Sequence, residues 1–379
     1  MRREDFHVPE AGRIVRAPGG YLAFVPAPLP PKISYTDELV LALSRADSSL
    51  SELSGVGRLL PNPHLLIEPY VRREAVLSSR IEGTTANLSD LLLEEIAAPA
   101  VGPVPSDVRE VRNYVSALDH GRRRLNSLPL SLRLVREMHE ILIRGVRGGQ
   151  ATPGEFRRTQ NWIGPPGSTL SGATFVPPPV PEMNEALHSW ERYLQERGRT
   201  PDLVQCALVH EQFEAIHPFL DGNGRVGRLL ITLFLMERLR LSQPLLYLSA
   251  FFESRREDYY GLLQRVRTQG DWASWLSFFL EGVAVTADEG VDRSGRLMDL
   301  RERFRRKLRG KARALDLLDA LFQNPYITVA RAEKLLKVSN PTARAAVTAL
   351  QSAGMLEEIS GRAWGRLYLA RPILRILEE

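Results

Sequence analysis

The chain has 379 residues and a mass of 42.6 kDa, which at roughly 150 residues per domain predicts two or three folded units. Apolar residues make up 44% and charged residues 25%, an ordinary globular balance that excludes collagen-like, coiled-coil and wholly disordered classes, and the single cysteine, Cys206, excludes an internal disulfide and a cysteine-rich zinc site. The net charge of +5 is uneven: residues 301–379 hold 16 Lys/Arg against 8 Asp/Glu, leaving the first 300 residues at −3, so the basic excess of the last fifth points to an acidic partner there.

The N-terminal MRREDFH carries charge with no apolar segment behind it, which does not support a signal peptide. The most apolar stretch, 229–236, is eight residues long and broken by Thr232, far short of the roughly 20 that a membrane helix needs. The expectation is a cytoplasmic protein with no membrane partner. Proline-rich stretches at 26–31, 99–105 and 177–181 stop helices and mark connections. Between them the apolar spacing is helical, at Leu39, Leu41 and Leu43, at Leu88, Leu91 and Leu92, and at Val111, Val115 and Leu118, so the chain reads as mainly α.

Residues 71–82 (VRREAVLSSRIE) form a helix pattern that stops at Gly83, a residue suited to a left-handed turn. The exception to the helical pattern is 161–176, where Trp162, Ile163, Thr169, Thr174, Phe175 and Val176 surround Gly164, Pro165, Pro166, Gly167 and Gly172; this predicts a short glycine-rich hairpin. The arginine-rich 301–313 reads as a solvated helix or linker. After it come a helix from Leu315, a segment 328–338, a turn at Ser339-Asn340-Pro341, a helix 342–351, and two strands, 355–359 and 366–369, either side of Gly361-Arg362. No repeat of solenoid period is visible.

The informative stretch is His217-Pro218-Phe219-Leu220-Asp221-Gly222-Asn223-Gly224-Arg225-Val226-Gly227-Arg228, running straight into an apolar helix. Glycines 222 and 224 let backbone N–H groups converge, and the helix end behind them adds partial positive charge, which suits phosphate oxygens. Arg225 and Arg228, three apart, fall on one side of a helix and suit outer phosphates. Asp221 offers a hard oxygen to a Mg²⁺ that bridges phosphates, and His217 a base that titrates near neutrality. Each element has a plainer reading: Gly-Asn-Gly as a turn, Asp221 as its Asx residue, His217 as a helix cap, the arginines as a solvated face. All of them together within twelve residues favour the nucleotide reading.

This segment resembles the Fic family signature, H-x-F-x-[DE]-G-N-G-R-x-x-R, at every specified position. The resemblance implies a mainly α Fic bundle with a short β-hairpin flap, and a protein adenylyltransferase that moves AMP from ATP to Ser, Thr or Tyr hydroxyls of a target protein and of itself. It makes His217 the general base, Phe219 a buried anchor and Asp221 the Mg²⁺ holder. Gly222, Asn223, Gly224, Arg225, Val226, Gly227 and Arg228 become the nucleotide-binding run. Tyr259, in the segment from Arg255 to Leu263, and Arg267 two turns on are expected at the nucleobase, although paired tyrosines on a helix are also ordinary packing. Thr174 and Phe175 would belong to the flap, which pins a target backbone by strand addition. Glycine at 224, where phosphorylating relatives carry lysine, favours adenylyl transfer.

Upstream, Ser78-x-x-x-Glu82-Gly83 matches the family's inhibitory pattern [ST]-x-x-x-E-[GN]. The implied device is Glu82 paired with Arg228, occupying the arginine meant for the γ-phosphate; the plainer reading is a solvated helix-terminal glutamate. The C-terminal pattern resembles a winged helix-turn-helix, with Asn340, Thr342 and Arg344 on the helix that would read DNA, while protein docking or dimerisation is the other use of such a module. The resulting division is an N-terminal helical region 1–110 holding the inhibitory helix (about 71–83), a catalytic domain 111–290, a basic linker or helix 291–313, and a winged-helix domain 314–379. The alternatives to an autoinhibited adenylyltransferase are a DNA-binding transcriptional regulator with a sensory Fic domain, or a Fic enzyme that removes AMP or transfers another phosphate-containing group. Among partners, DNA and a second copy of the chain stay open.

Overall fold

The computed structural model describes residues 3–6, 8–17, 19–59, 64–96, 105–146, 152–165 and 167–379. The proline stretch expected to mark a connection at 99–105 lies outside the described residues except for Pro105, as does Pro166 of the expected hairpin. An antiparallel pair, β1 (Gly12–Arg16) and β2 (Leu22–Pro26), opens the chain, with Gly12 opposite Pro26 and Arg16 opposite Leu22. The sequence reading gave the first 110 residues as helical. Phe24, however, is buried against Phe6 and Phe175, with ring centroids 5.3 and 5.9 Å away, and that cluster forms only when the chain is extended.

Helices dominate from there: α1 (Asp37–Leu59), α2 (His64–Ile81), α3 (Leu88–Ile96), α4 (Ser106–Arg124), α5 (Leu132–Leu142), α6 (Val180–Gln195), α7 (Asp202–Ile216), α8 (Asn223–Glu237), α9 (Ser249–Ser254), α10 (Arg256–Gln269) and α11 (Trp272–Lys307). The centre is α7, in which every residue from Leu203 to Ile216 is buried, including Gln205, His210, Glu211, Gln212 and Glu214. A helix buried on all sides sits in a core rather than at a surface. Charged groups in such a place are rarely structural filler. It packs on α6, α8 and α11, and its end is set by His217, whose left-handed backbone (φ +49°) precedes Pro218.

The arginine-rich 301–307 proves to be the last two turns of the 36-residue α11, not a linker. Leu297, Leu300 and Phe304 are buried along one side of it, and Arg301 forks onto Asp319 at 2.8 and 2.9 Å. Beyond it lie α12 (Ala312–Gln323), β3 (Tyr326–Thr328), α13 (Val329–Leu336), α14 (Asn340–Ser352), β4 (Glu357–Glu358), β5 (Leu367–Leu369) and α15 (Arg371–Glu378). The two strands expected either side of Gly361-Arg362 pair as β4 and β5, shorter than expected, and β3 joins them in the order β3-β5-β4, all antiparallel, with Tyr326 to Thr328 opposite Leu369 to Leu367. One apolar cluster runs from Leu39 to Leu377, so this C-terminal part shares the core of the rest. It meets α2 directly through α12 and α15.

The expected hairpin at 161–176 is likewise reduced, to a single bridge pair. Ile163 and Phe175 exchange N–H to O bonds of 2.8 and 3.0 Å, and the intervening residues, rich in glycine and proline, lack the donors and side chains to extend the ladder. No helix among the described residues is long and apolar enough to cross a membrane.

Candidate active site

The loop 217–222 between α7 and α8 is held rigid before any ligand arrives. Phe219 is fully buried, its ring stacked on His139 at 3.6 Å. Its N–H donates to Asn223 Oδ1 and its carbonyl accepts from Asn223 Nδ2, both at 2.8 Å, and Asn161 Nδ2 reaches the same carbonyl at 2.8 Å. Asn223 is therefore spent on loop closure. His139 donates from Nε2 to the Asp221 carbonyl (3.0 Å) and accepts the Gly154 N–H on Nδ1 (3.0 Å), which fixes its tautomer. Burial pulls its pKa down to about 4, so it is a neutral strut. The guanidinium of Arg157, itself buried, gives Nε to the His217 carbonyl at 3.0 Å, and the Arg157 N–H goes to the Pro218 carbonyl at 2.9 Å. None of His139, Arg157 and Asn161 follows from the sequence motif, because their partners are backbone carbonyls that no pattern announces.

His217 Nδ1 lies 3.3 Å from the Glu214 carbonyl, an acceptor only, so Nδ1 carries the proton and Nε2 keeps its lone pair. Nε2 has no partner among the described residues. Burial, helped by the positive charge of Arg267, lowers the pKa of His217 to about 4, so the imidazole is an uncharged base at neutral pH. Helix α8 begins next to it, after Gly222 in a left-handed conformation (φ +81°). Its first intrahelical bond runs from Val226 N–H to the Gly222 carbonyl, and the N–H groups of Asn223, Gly224 and Arg225 have no acceptor among the described residues. Three unpaired donors at the positive end of a 15-residue helix form an anion cradle. A Cβ on Gly224 would run into the Glu82 carboxylate, which shows how near that group approaches.

Arg225 is buried, with Nη1 3.3 Å from Glu110 and Nη2 3.3 Å from Asp221 Oδ1. Asp221 also accepts the Gly222 N–H on Oδ1, whereas Oδ2 has no partner among the described residues and the side chain is 44% exposed. No group of three or more His, Cys, Asp or Glu among the described residues could hold a metal by itself. One open hard oxygen beside an anion cradle does fit Mg²⁺ held jointly by phosphates and water.

Arg228 is bound on three sides from the end of α2 and the residue that follows it. Its Nε donates to Ser78 Oγ (2.8 Å), and Nη2 donates to the Ser78 carbonyl (2.9 Å) and to Glu82 Oε1 (2.7 Å). Glu82 follows the end of α2, its N–H bonded to Ser79, and Gly83 turns with φ +94°. Burial, the largest single influence, would raise the Glu82 carboxyl, but the Arg228 charge and its hydrogen bond, with the charge of Arg225, together outweigh it and the pKa falls below the usual value. One and two turns before Ser78 and Glu82, Glu74 anchors the same face of α2. It accepts from Tyr114 on α4 (2.9 Å) and from the Ser249 hydroxyl (2.6 Å), and burial raises its pKa to about 7. The 74/78/82 spacing was visible in the sequence, yet nothing in the pattern sets Glu74 apart from the other charged residues of 71–82.

Five of the expected site residues face elsewhere. Tyr259 is buried, donates its hydroxyl to His210 Nε2 at 2.9 Å and stacks on Phe252, leaving no surface for a nucleobase; Tyr260, 42% exposed, is the ring that reaches solvent. Arg267 pairs with Glu211 at 3.2 Å and lies over the Phe175 ring, so its charge is already engaged. Phe175 is itself buried in the Phe6–Phe24 cluster, and only Thr174 of the expected flap pair is exposed. Val226 points into the core. Gly227 faces α7: its carbonyl accepts from His210 Nδ1, and a Cβ there would sit 2.5 Å from Glu214 Oε1. Asn340, Thr342 and Arg344 lie on α14, an exposed helix of the C-terminal part.

Two family models match the chain, the Fic/DOC family N-terminal region over residues 40–123 and the Fic/DOC family over 129–235, together just over half of it. Among curated proteins, a protein adenylyltransferase Fic of Drosophila grimshawi is 28% identical over 186 residues, 46% of this chain and 34% of that protein. A probable protein adenylyltransferase of Aquifex aeolicus is 43% identical over 72 residues, 18% of this chain and 21% of that protein. The chain thus spans between about a fifth and a third of the length of these relatives. Among solved structures, a Fic family protein of Desulfovibrio desulfuricans G20 aligns with TM-score 0.58 at 21% identity, covering 90% of this chain and 98% of that one. Fic-1 of C. elegans aligns with TM-score 0.50 at 22% identity over 69% and 74%. These two show the fold. With the signature loop, the helix behind it and both family models in register, the chain belongs to the Fic/DOC family.

Proposed function

We propose that the protein is an adenylyltransferase that moves AMP from ATP to a hydroxyl of a target protein, and to its own side chains, and that Glu82 holds it in check. The observation that carries the reading is the juxtaposition of an uncharged His217, with Nε2 open, and the unpaired N–H groups at the start of α8. In the step proposed, a target Ser, Thr or Tyr oxygen attacks the α-phosphorus while His217 Nε2 takes its proton. A new O–P bond forms, the bond from the α-phosphorus to the α,β-bridging oxygen breaks, and pyrophosphate leaves. The residues mainly position and neutralise, as in phosphoryl transfer generally. The N–H groups of 223–225 would hold the inner phosphates, Arg225 and a freed Arg228 the outer ones. Mg²⁺, held by Asp221 Oδ2 and the phosphates, would supply charge neutralisation of the leaving group.

In this reading the 2.7 Å Glu82–Arg228 contact occupies the cation meant for the γ-phosphate. Residues 111–290 would carry the chemistry, 1–110 the restraint and 314–379 a winged helix. Incubation with ATP labelled at the α-phosphate, alongside ATP labelled at the γ-phosphate, tests the reaction. Label retained on protein from the α position alone supports adenylyl transfer; retention from the γ position means phosphorylation. Loss of pre-attached AMP without new labelling would instead make the protein a remover of AMP.

A further inference from the structure

Between α2, α11 and the loop joining α8 to α9 lies a small cavity of about 10 Å³, room for one water-sized group. Arg73 of α2 and Arg293 of α11 line it, with Tyr247 of the loop and Thr286 of α11 beside them. Tyr247 is 6% exposed, and its hydroxyl has no hydrogen-bond partner among the described residues. Arg293 is 7% exposed, and its Nε has none either. Two donors sealed from water at one cavity carry a free-energy cost unless something there accepts from them.

Charge points the same way. Burial, and after it the nearby charge of Arg293, holds the Arg73 guanidinium below its ordinary pKa, so two cations share this spot. The one hydrogen bond that Arg73 makes among the described residues runs from Nη2 to the Glu379 carbonyl, at 3.3 Å. The acids nearby are engaged or distant. Glu74, on the cavity wall, has both oxygens on Tyr114 and Ser249, and burial raises its pKa to about 7. Glu289, one turn before Arg293, is half-exposed and stays 3.9 Å from it, and Glu379 is held by Arg296 and Arg375. Guanidinium groups offer no acceptor, which excludes a cation here. Water would satisfy the Tyr247 hydroxyl and the Arg293 Nε but leave the two cations uncompensated, whereas an anion serves both needs.

We infer that this cavity binds a monatomic anion of halide size, held by the Arg73 and Arg293 guanidinium groups and the Tyr247 hydroxyl. The volume excludes phosphate, sulfate and carboxylates. The ion ties α2 to α11 upstream of Ser78, so the helix that grips Arg228 is pinned at a second point; the binding itself is independent of the transferase reading. Melting of the full chain tests it, with sodium chloride raised from about 2 to about 200 mM and ionic strength held constant by sodium gluconate, whose anion is too large for the cavity. A ligand bound by the folded chain alone should raise the melting temperature by about 2–3 °C over this range. Tyr247→Phe, which removes only a hydroxyl without a partner, should fold and need about three- to tenfold more chloride for the same shift. Arg293→Gln should lose the shift. Crystals grown in sodium bromide should show anomalous scattering between Arg73 and Arg293. A melting temperature indifferent to the choice of anion, an unchanged chloride response in both variants, or water in place of bromide in those crystals overturns the inference.

Discussion

Glu82, just past the end of α2, accepts a 2.7 Å hydrogen bond from Arg228 across 146 residues of chain, and among the described residues the arginine's other hydrogen bonds go to Ser78 of α2. A guanidinium this deeply buried requires a counter-charge. Any phosphate that reaches Arg228 must therefore displace Glu82.

Glu82→Gly should raise α-phosphate labelling of the protein by ATP, on the order of ten- to a hundredfold, the equivalent of one charged hydrogen bond removed from the competition. Labelling equal to or below that of the parent chain, in a variant with an unchanged melting temperature, would show that α2 does not restrain the site.

His217→Ala should reduce transfer by about 10²–10⁴-fold while ATP affinity, measured by calorimetry, stays within about twofold, because the base acts on the incoming hydroxyl. The lowered pKa of His217 gives a further signature. A base that titrates near 4 is fully unprotonated at pH 6, and Glu82 is one of the charges that raises it, so removing Glu82 moves it lower still. Labelling by Glu82→Gly should then be nearly flat between about pH 6 and 8. A halving of rate near pH 6.5 would indicate an ordinary histidine and contradict this geometry.

Glu214 Oε1 has no hydrogen-bond partner among the described residues, and burial raises the carboxyl to about 7, against the pull of Arg228 and with a further push from Glu82. Its ordinary value is 4.5. Between these two values the folded chain holds more protons than the unfolded one, so stability falls as pH rises through that window and stays lower above it. Glu214→Gln removes the penalty and should raise the melting temperature at pH 8 by about 2 °C while leaving it little changed at pH 5. An equal shift at both values would mean that packing, not charge, is responsible.

Gly227→Ala should destabilise the fold by about 1–3 kcal/mol, measured by urea denaturation, because the added methyl meets the Glu214 carboxylate and the His210 ring across the contact between α7 and α8. A neutral effect would show that the two helices can part without cost.

The twelve residues from His217 to Arg228 announced the loop and the helix behind it, because glycines, a helix start and cations at fixed short spacing are what a sequence displays. The helical character followed in the same way from local periodicity. The tertiary structure decided which way each side chain faces. Tyr259 and Tyr260 are equivalent on paper, yet one is sealed against His210 and the other reaches solvent; Arg267 and Gly227 read as ligands of a nucleotide and serve the core. The hairpin β1–β2 formed because Phe24 found Phe6 and Phe175, the last of these 151 positions away, a contact that no local pattern encodes. The struts of the site, His139, Arg157 and Asn161, stayed invisible for a related reason. Their partners are main-chain carbonyls of the loop, identical in every residue, so only the folded path of the chain brings donor and acceptor within 3.2 Å.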